Sequence, residues 1–321
     1  MKFFRKKNKI EKSKNYKPLE KEHREKTPWL FNSPPEIVIE KDRPPILIYQ
    51  MGKVGSTSIN ASLKNSGIPN PVYHIHQLRY DGIEMKIKEN KKLMLINSTN
   101  NNLTDRQKVY NHLYIKFIIR QLENYKLLRE KVDKNFNKIP WKIITLVRDP
   151  VMRQISDFFF SFHKHPELMN KEGDILREKT LEVLKNEITE LLTPPKDYVL
   201  KWFDKEFKAV LGIDVYDFPF DREEGYTIIN YNNISILIIK LEKLNQCFNS
   251  AISKFIEKDN LKLLDRNQAK QKFYYDTYKY VMNNITFDYD FCKAIYSSKF
   301  MKHFYSPREI ESFLTKWTGS K

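Results

Sequence analysis

Two stretches of this 321-residue chain carry residue types at spacings suited to holding an anion. The first is Tyr49-Gln50-Met51-Gly52-Lys53-Val54-Gly55-Ser56-Thr57-Ser58. Glycines let the backbone approach an anion closely, and a helix starting after Gly55 would present unpaired N–H groups. Ser56 and Thr57 add hydroxyl donors, and Lys53 adds a cation. The lysine stands three residues before Ser56, whereas the nucleotide-triphosphatase loop ends in Gly-Lys-Ser/Thr. The second stretch runs from Thr145 to Phe159, with Arg148 at the end of an apolar run and Ser156 eight residues later. A guanidinium fork suits a phosphate, and a nearby hydroxyl adds a donor. Arg153 reads equally well as a structural partner of Asp149 at (i, i+4).

A third stretch, Tyr73-His74-Ile75-His76, offers bases. Alternation on a strand puts both imidazoles on one side, and neutral imidazole accepts a proton near pH 7. His76 is nearer the carboxyl end, where parallel sheets place ligands, so it is the first candidate base and His74 the second. Simple hydrogen bonding of both at a strand end is the competing reading. Cys247 and Cys292 read as buried thiols rather than a disulfide or metal site.

The elements that must position these residues follow from pattern. Ile46 to Gln50 is β-type, the turn Met51–Gly55 follows, and Ile59 and Leu63 repeat at helical spacing. Val72–Ile75 and Leu93–Ile96 read as short strands, and 111–132 as a long helix. Ile143 to Val147 is the most apolar strand, with Asp149 as N-cap and Pro150 at the first position of a helix reaching about residue 163. Residues 175–207 read as helical with a break at Pro194-Pro195, and 234–239 as a late strand. The chain after Leu241 is mainly helical. Strands alternating with helices predict an α/β domain over 44–321 with a central, mostly parallel sheet flanked by helices and a helical C-terminal part.

With the motifs placed, a resemblance emerges. Lys53-Val54-Gly55-Ser56-Thr57-Ser58 resembles the 5′-phosphosulfate loop, Lys-x-Gly-Ser/Thr-Thr/Ser, of sulfotransferases that use 3′-phosphoadenosine 5′-phosphosulfate (PAPS). Arg148 and Ser156 are similar to the same family's 3′-phosphate motif. The resemblance implies a P-loop-like sulfotransferase fold and transfer of a sulfuryl group from PAPS to a hydroxyl of a carbohydrate, such as a capsular or other surface polysaccharide. PAP is then the product, and no metal is expected. It also implies that Lys53 acts at the oxygen bridging phosphate and sulfate, with Gly52, Val54, Gly55, Ser56, Thr57 and Ser58 around the 5′-phosphate. His74 and His76 fall where glycan 2-O-sulfotransferases carry histidines. Leu211–Tyr216 and Lys302–Ser306 look like stretches of bacterial capsular polysaccharide synthesis or sulfotransferase proteins. Ser58 stands where the cytosolic small-molecule enzymes have tryptophan, so the adenine-stacking partner is not carried over. Their C-terminal Arg-Lys-Gly element has no counterpart here.

Composition bounds the alternatives. The net charge is +17, of which residues 1–27, with 11 Lys/Arg and 4 Asp/Glu, carry +7. Residues 1–43 therefore read as a basic, disordered tail and connector, suited to contact with an anionic membrane surface. No apolar run suggests a span or signal peptide, so a cytoplasmic protein, peripheral to the inner membrane surface through its tail, is expected. A P-loop kinase or NTPase using Asp149 for magnesium is the second enzyme reading. A basic nucleic-acid-binding protein is the third, without any zinc, helix-turn-helix or RNP pattern to accompany the charge.

Overall fold

The computed structural model describes residues 16–34, 36–100, 103–170, 172–264, 270 and 272–319. In chain order the elements are α1 (Tyr16–Lys26), β1 (Ile46–Tyr49), α2 (Ser56–Asn65), β2 (Val72–Ile75), α3 (Tyr80–Thr99) and α4 (Asp105–Asn135). Then come β3 (Trp141–Val147), α5 (Pro150–Phe160), α6 (Arg177–Leu192), a π-helical stretch Phe203–Lys208 running into α7 (Ala209–Leu211), β4 (Tyr226–Tyr231) and β5 (Ile234–Lys240). The C-terminal part is α8 (Leu244–Ile256), α9 (Tyr275–Asn284), α10 (Tyr289–Tyr296), α11 (Lys299–Phe304) and α12 (Pro307–Thr318). Two compact units result, Met1–Val38 with Gln77–Asn135, and Ile39–His76 with Phe136–Lys321.

The larger unit holds one five-stranded sheet in the order β2-β1-β3-β5-β4. β1 pairs in parallel with β2 and β3, and β3 with β5. Only β4 is antiparallel, against β5. β1 is buried throughout, and β3 and β5 nearly so, which is why they read as continuous apolar runs rather than alternating ones. The outer β2 alternates between buried and half-buried residues. The expected parallel α/β sheet flanked by helices is therefore present.

Two sequence expectations fail here. Leu93–Ile96 is not a strand but lies inside α3; a four-residue apolar run cannot distinguish the two states, and its lysine-rich neighbours favour helix. β4 was missed, although Tyr226–Tyr231 turns at Asn232 (φ 52°) straight into β5, a tight hairpin that asparagine's tolerance of the left-handed region permits.

In the smaller unit α3 and α4 pack along one another, and α1 packs on α4. Leu30, Val109 and Leu113 form a cluster covered by Tyr16 and Leu19, and Arg106 pairs with Glu22 at 2.5 Å. Residues 16–26, expected to belong to a disordered arm, are thus helical because one face of that helix finds apolar partners. The remainder of the basic arm, residues 1–15, lies outside the described residues. Among the described residues no helix is long and apolar enough to cross a membrane.

Candidate functional site

β1 delivers the chain into the loop at the carboxyl ends of the parallel strands, the usual ligand edge of such sheets. Below it Tyr49 is wedged between Trp202 and Phe207, and its hydroxyl donates to Glu206 Oε1 at 2.9 Å. The loop backbone is shaped by two left-handed residues, Lys53 (φ 70°) and Gly55 (φ 86°). Gly52 is not one of them, so the conformational demand falls one residue later than the glycine spacing suggests. A non-glycine residue in that region costs roughly 1–2 kcal/mol, and strain of this kind concentrates where a site over-determines the backbone.

Gly55 is the N-cap of α2 and offers no side-chain cap. Of the first-turn amides of α2, Ser58 N–H donates to the Gly55 carbonyl at 3.1 Å, and those of Ser56 and Thr57 are the ones placed to meet an external anion. Val54 is fully buried and anchors the loop from below, so only its backbone can meet a ligand. Thr57 is exposed and Ser58 half-buried.

Two arginines hold the loop from α5 and its approach. Arg148 Nη1 donates to the Lys53 carbonyl at 2.9 Å, and Arg153 Nε to the Gly52 carbonyl at 3.0 Å. Arg153 also pairs with Asp157 at 3.0 Å and contacts Gln154. Its expected partner, Asp149, is otherwise engaged: the carboxylate accepts from the Val151 and Met152 amides, from Tyr296 Oη at 2.7 Å and from Trp317 Nε1 at 3.1 Å. The sequence hides this because Tyr296 and Trp317 are 147 and 168 residues away and no local pattern reports them. Ser156 is half-buried on α5, two turns beyond Arg148.

Lys53 Nζ lies 4.0 Å from the centroid of the Phe160 ring, a cation–π contact that fixes a long side chain. Burial pushes its pKa down to about 8; Arg148, Arg153 and Lys272 push the same way, and Asp157 opposes. Crowded cations beside uncapped helix amides form an environment that an anion would relieve, so the residues fit a phosphate.

The histidines join this site from β2. Ser56 Oγ is 2.8 Å from His74 Nε2, Gln50 Nε2 is 3.2 Å from the same nitrogen, and the two imidazole centroids are 4.8 Å apart. Burial, reinforced by His76 and Lys64, pushes His74 down to about 3. In the tautomer of neutral His74 that carries its proton on Nδ1, Nε2 accepts from the Ser56 hydroxyl; in the other, the hydroxyl accepts and keeps its own proton for an anion. His76 Nδ1 is 3.1 Å from the Gln50 carbonyl oxygen and 3.3 Å from Gln50 Nε2. In the tautomer whose Nδ1–H donates to the carbonyl, Nε2 keeps its lone pair. The loop, Arg148, Ser56 and both histidines are therefore gathered at one edge of the larger unit. Gln50 and Arg153 also belong to the site; the sequence offers Arg153 only a pairing with Asp149 that does not form, and nothing for Gln50.

Among the described residues no group of three or more His, Cys, Asp and Glu side chains could hold a metal ion. Neither curated proteins nor solved structures gave a match. One family model does match, over less than half of the chain: residues 172–306, spanning α6 to α11, are similar to the family described as "Putative capsular polysaccharide synthesis protein".

Proposed function

We propose that the chain is a sulfotransferase of P-loop-like α/β fold, moving a sulfuryl group from PAPS to a hydroxyl of a carbohydrate, a capsular or other surface polysaccharide being the acceptor class. The observation that carries this reading is the gathering, around one uncapped helix terminus, of the early lysine Lys53, two loop-clamping arginines and a hydrogen-bonded histidine pair. The similarity of residues 172–306 to a capsular polysaccharide family supports the glycan acceptor.

The residues divide the work of an in-line displacement at sulfur. His76 Nε2 takes the proton of the acceptor hydroxyl as that oxygen bonds to sulfur, and the bond from sulfur to the bridging oxygen breaks. Lys53 Nζ neutralises the charge that gathers on that oxygen. The α2 amides and Thr57 hold the 5′-phosphate, and Arg148 with Ser156 holds the 3′-phosphate. His74 positions Ser56 and Gln50 rather than taking a proton, because a base at about 3 is far below working pH.

The kinase reading meets a specific obstacle. Asp149 is fully buried, and both carboxylate oxygens are committed to amide, phenol and indole donors, so it is not presented to a magnesium nucleotide. Calorimetric titration separates the two readings. PAP is expected to bind more tightly than Mg-ATP, and a preference for Mg-ATP with magnesium dependence would contradict the proposal. The same titration carries a pH signature. Free Lys53 loses its proton around pH 8, and a bound anion holds that proton on. Binding should then take up a proton above pH 8, with affinity falling as pH rises, by up to about tenfold per unit. Lys53→Met should remove the uptake.

His76→Ala is expected to lower turnover about 10²- to 10⁴-fold with PAPS binding intact. His74→Ala should lose far less turnover while loosening Ser56. The reverse pattern of turnover in the two variants would exchange the roles.

A further inference from the structure

A cleft of about 260 Å³ runs between α5 and α6, lined among others by Gln154, Asp157, Phe158, Ser161, His165 and Glu187. Gln154, Asp157 and Phe158 of α5 and its C-cap Ser161 stand at i, i+3, i+4 and i+7, one face of the helix. The cleft adjoins the loop site through shared side chains: Arg153, which clamps Gly52, also contacts Gln154 and Asp157. Lys53 rests on Phe160 of the same helix. One wall is aromatic: the His165 ring, its side chain 15% exposed, stacks on the buried Phe158 at a centroid distance of 4.7 Å and is the face the cleft presents. The other, on α6, sets Glu187 among the apolar Leu184, Ile188 and Leu191, and Asp157 and Lys164 are the lining's other charged residues beside His165. Glu187 lies 3.4 Å from His165 Nε2; behind the lining, Glu167 lies 3.2 Å from His165 Nδ1 and Glu190 adds negative charge near Glu187.

Aromatic faces cover the apolar C–H side of a sugar ring, and carboxylates accept from its hydroxyls or from an amine. The same carboxylates repel a uronate or other acidic sugar. Pockets for drug-sized ligands occupy about 300–1,000 Å³, so this cleft has room for one ring, with the rest of a chain outside. We propose that the α5–α6 cleft is an acceptor subsite for a sugar unit without a carboxylate, neutral or amine-bearing, next to the unit whose hydroxyl is sulfated. The proposal rests on the sulfotransfer reading for its purpose, but the binding it predicts needs no donor.

The probe is a set of oligosaccharides released by mild acid from the cell envelope of the source organism and separated by charge into neutral, amine-bearing and acidic fractions. Each is titrated by calorimetry against the full chain, alongside PAP. A neutral or amine-bearing fraction should bind at least ten times more tightly than the acidic one. Leu191, a cleft residue 40% exposed to solvent, can take a tryptophan that fills the cleft; Leu191→Trp should weaken glycan binding at least tenfold with PAP binding unchanged. Glu187→Gln, which keeps the shape, should weaken the amine-bearing fraction about tenfold. Equal or tighter binding of the acidic fraction, no binding of any fraction, or affinity untouched in both variants would overturn the subsite. Failure of PAP to bind the unaltered chain would count against the sulfotransfer reading alone.

Discussion

Lys53→Ala should lower sulfuryl transfer by about 10²- to 10³-fold, the usual loss when one group that stabilises developing charge is removed. PAP affinity should fall far less, by roughly 0.5–1.5 kcal/mol, because the lysine acts mainly on charge that appears only as the bond to the bridging oxygen breaks. The backbone adds a control. Lys53 sits at φ 70°, which glycine adopts without penalty, so Lys53→Gly should fold at least as well as the unaltered protein and be as inactive as Lys53→Ala. Lys53→Arg should recover part of the rate by restoring charge, though the planar guanidinium does not replace a compact ammonium. Turnover near the original level in Lys53→Gly, measured with saturating PAPS, would remove the residue from the chemistry.

The second large effect is structural. Gly55→Ala places a Cβ at φ 86° that overlaps Cδ1 of Leu241. The left-handed conformation costs roughly 1–2 kcal/mol, and the terminal methyl of the half-buried Leu241 must turn aside, a smaller cost than overpacking a closed core. Even the backbone cost alone is a sizeable share of a domain's stability. Gly52→Ala makes the contrast, since its Cβ would meet only Arg153 Nη2 at 3.8 Å, an ordinary contact, and should change stability by no more than about 0.5 kcal/mol. Thermal unfolding of both variants, with Gly55→Ala also combined with Leu241→Ala, checks the cause. Relief of the overlap should appear as a favourable coupling in the double-mutant cycle. Equal stability of Gly52→Ala and Gly55→Ala would contradict the account of the loop.

The contrast between the two glycines shows how far the residues alone could be read. The strands β1 and β3, the start of α2 and the Asp149-Pro150 entry to α5 were legible because local chemistry fixes them: continuous apolar runs for central strands, a small-residue turn, an N-cap followed by proline. Lys53, Arg148 and the two histidines were legible as candidates because their types are few and their spacing is short. What was hidden depends on distant parts of the chain. That a Cβ at Gly55 would also meet Leu241 is set by residue 241, that Asp149 is unavailable to a metal comes from Tyr296 and Trp317, and that Arg153 clamps the loop comes from the Gly52 carbonyl. Leu93–Ile96 failed for the opposite reason: a short apolar run was given more weight than the helix-forming residues around it.

The ranking of the histidines shows geometry sharpening a chemical choice. Two alternate positions on a strand share a side, which left His74 and His76 as rivals. Burial, with His76 and Lys64 beside it, holds His74 neutral, while the Gln50 carbonyl can fix the His76 tautomer. Neighbouring identical side chains thus sit in different surroundings, and that difference is the ground on which different tasks are proposed for them.

Incubation of the protein with ³⁵S-labelled PAPS and an envelope extract from its own organism should transfer label to polysaccharide, with an equal amount of PAP released, dependent on Lys53 and indifferent to ATP. Absence of labelled polysaccharide with PAPS, alongside phosphate transfer from ³²P-labelled Mg-ATP, would contradict the sulfotransfer reading.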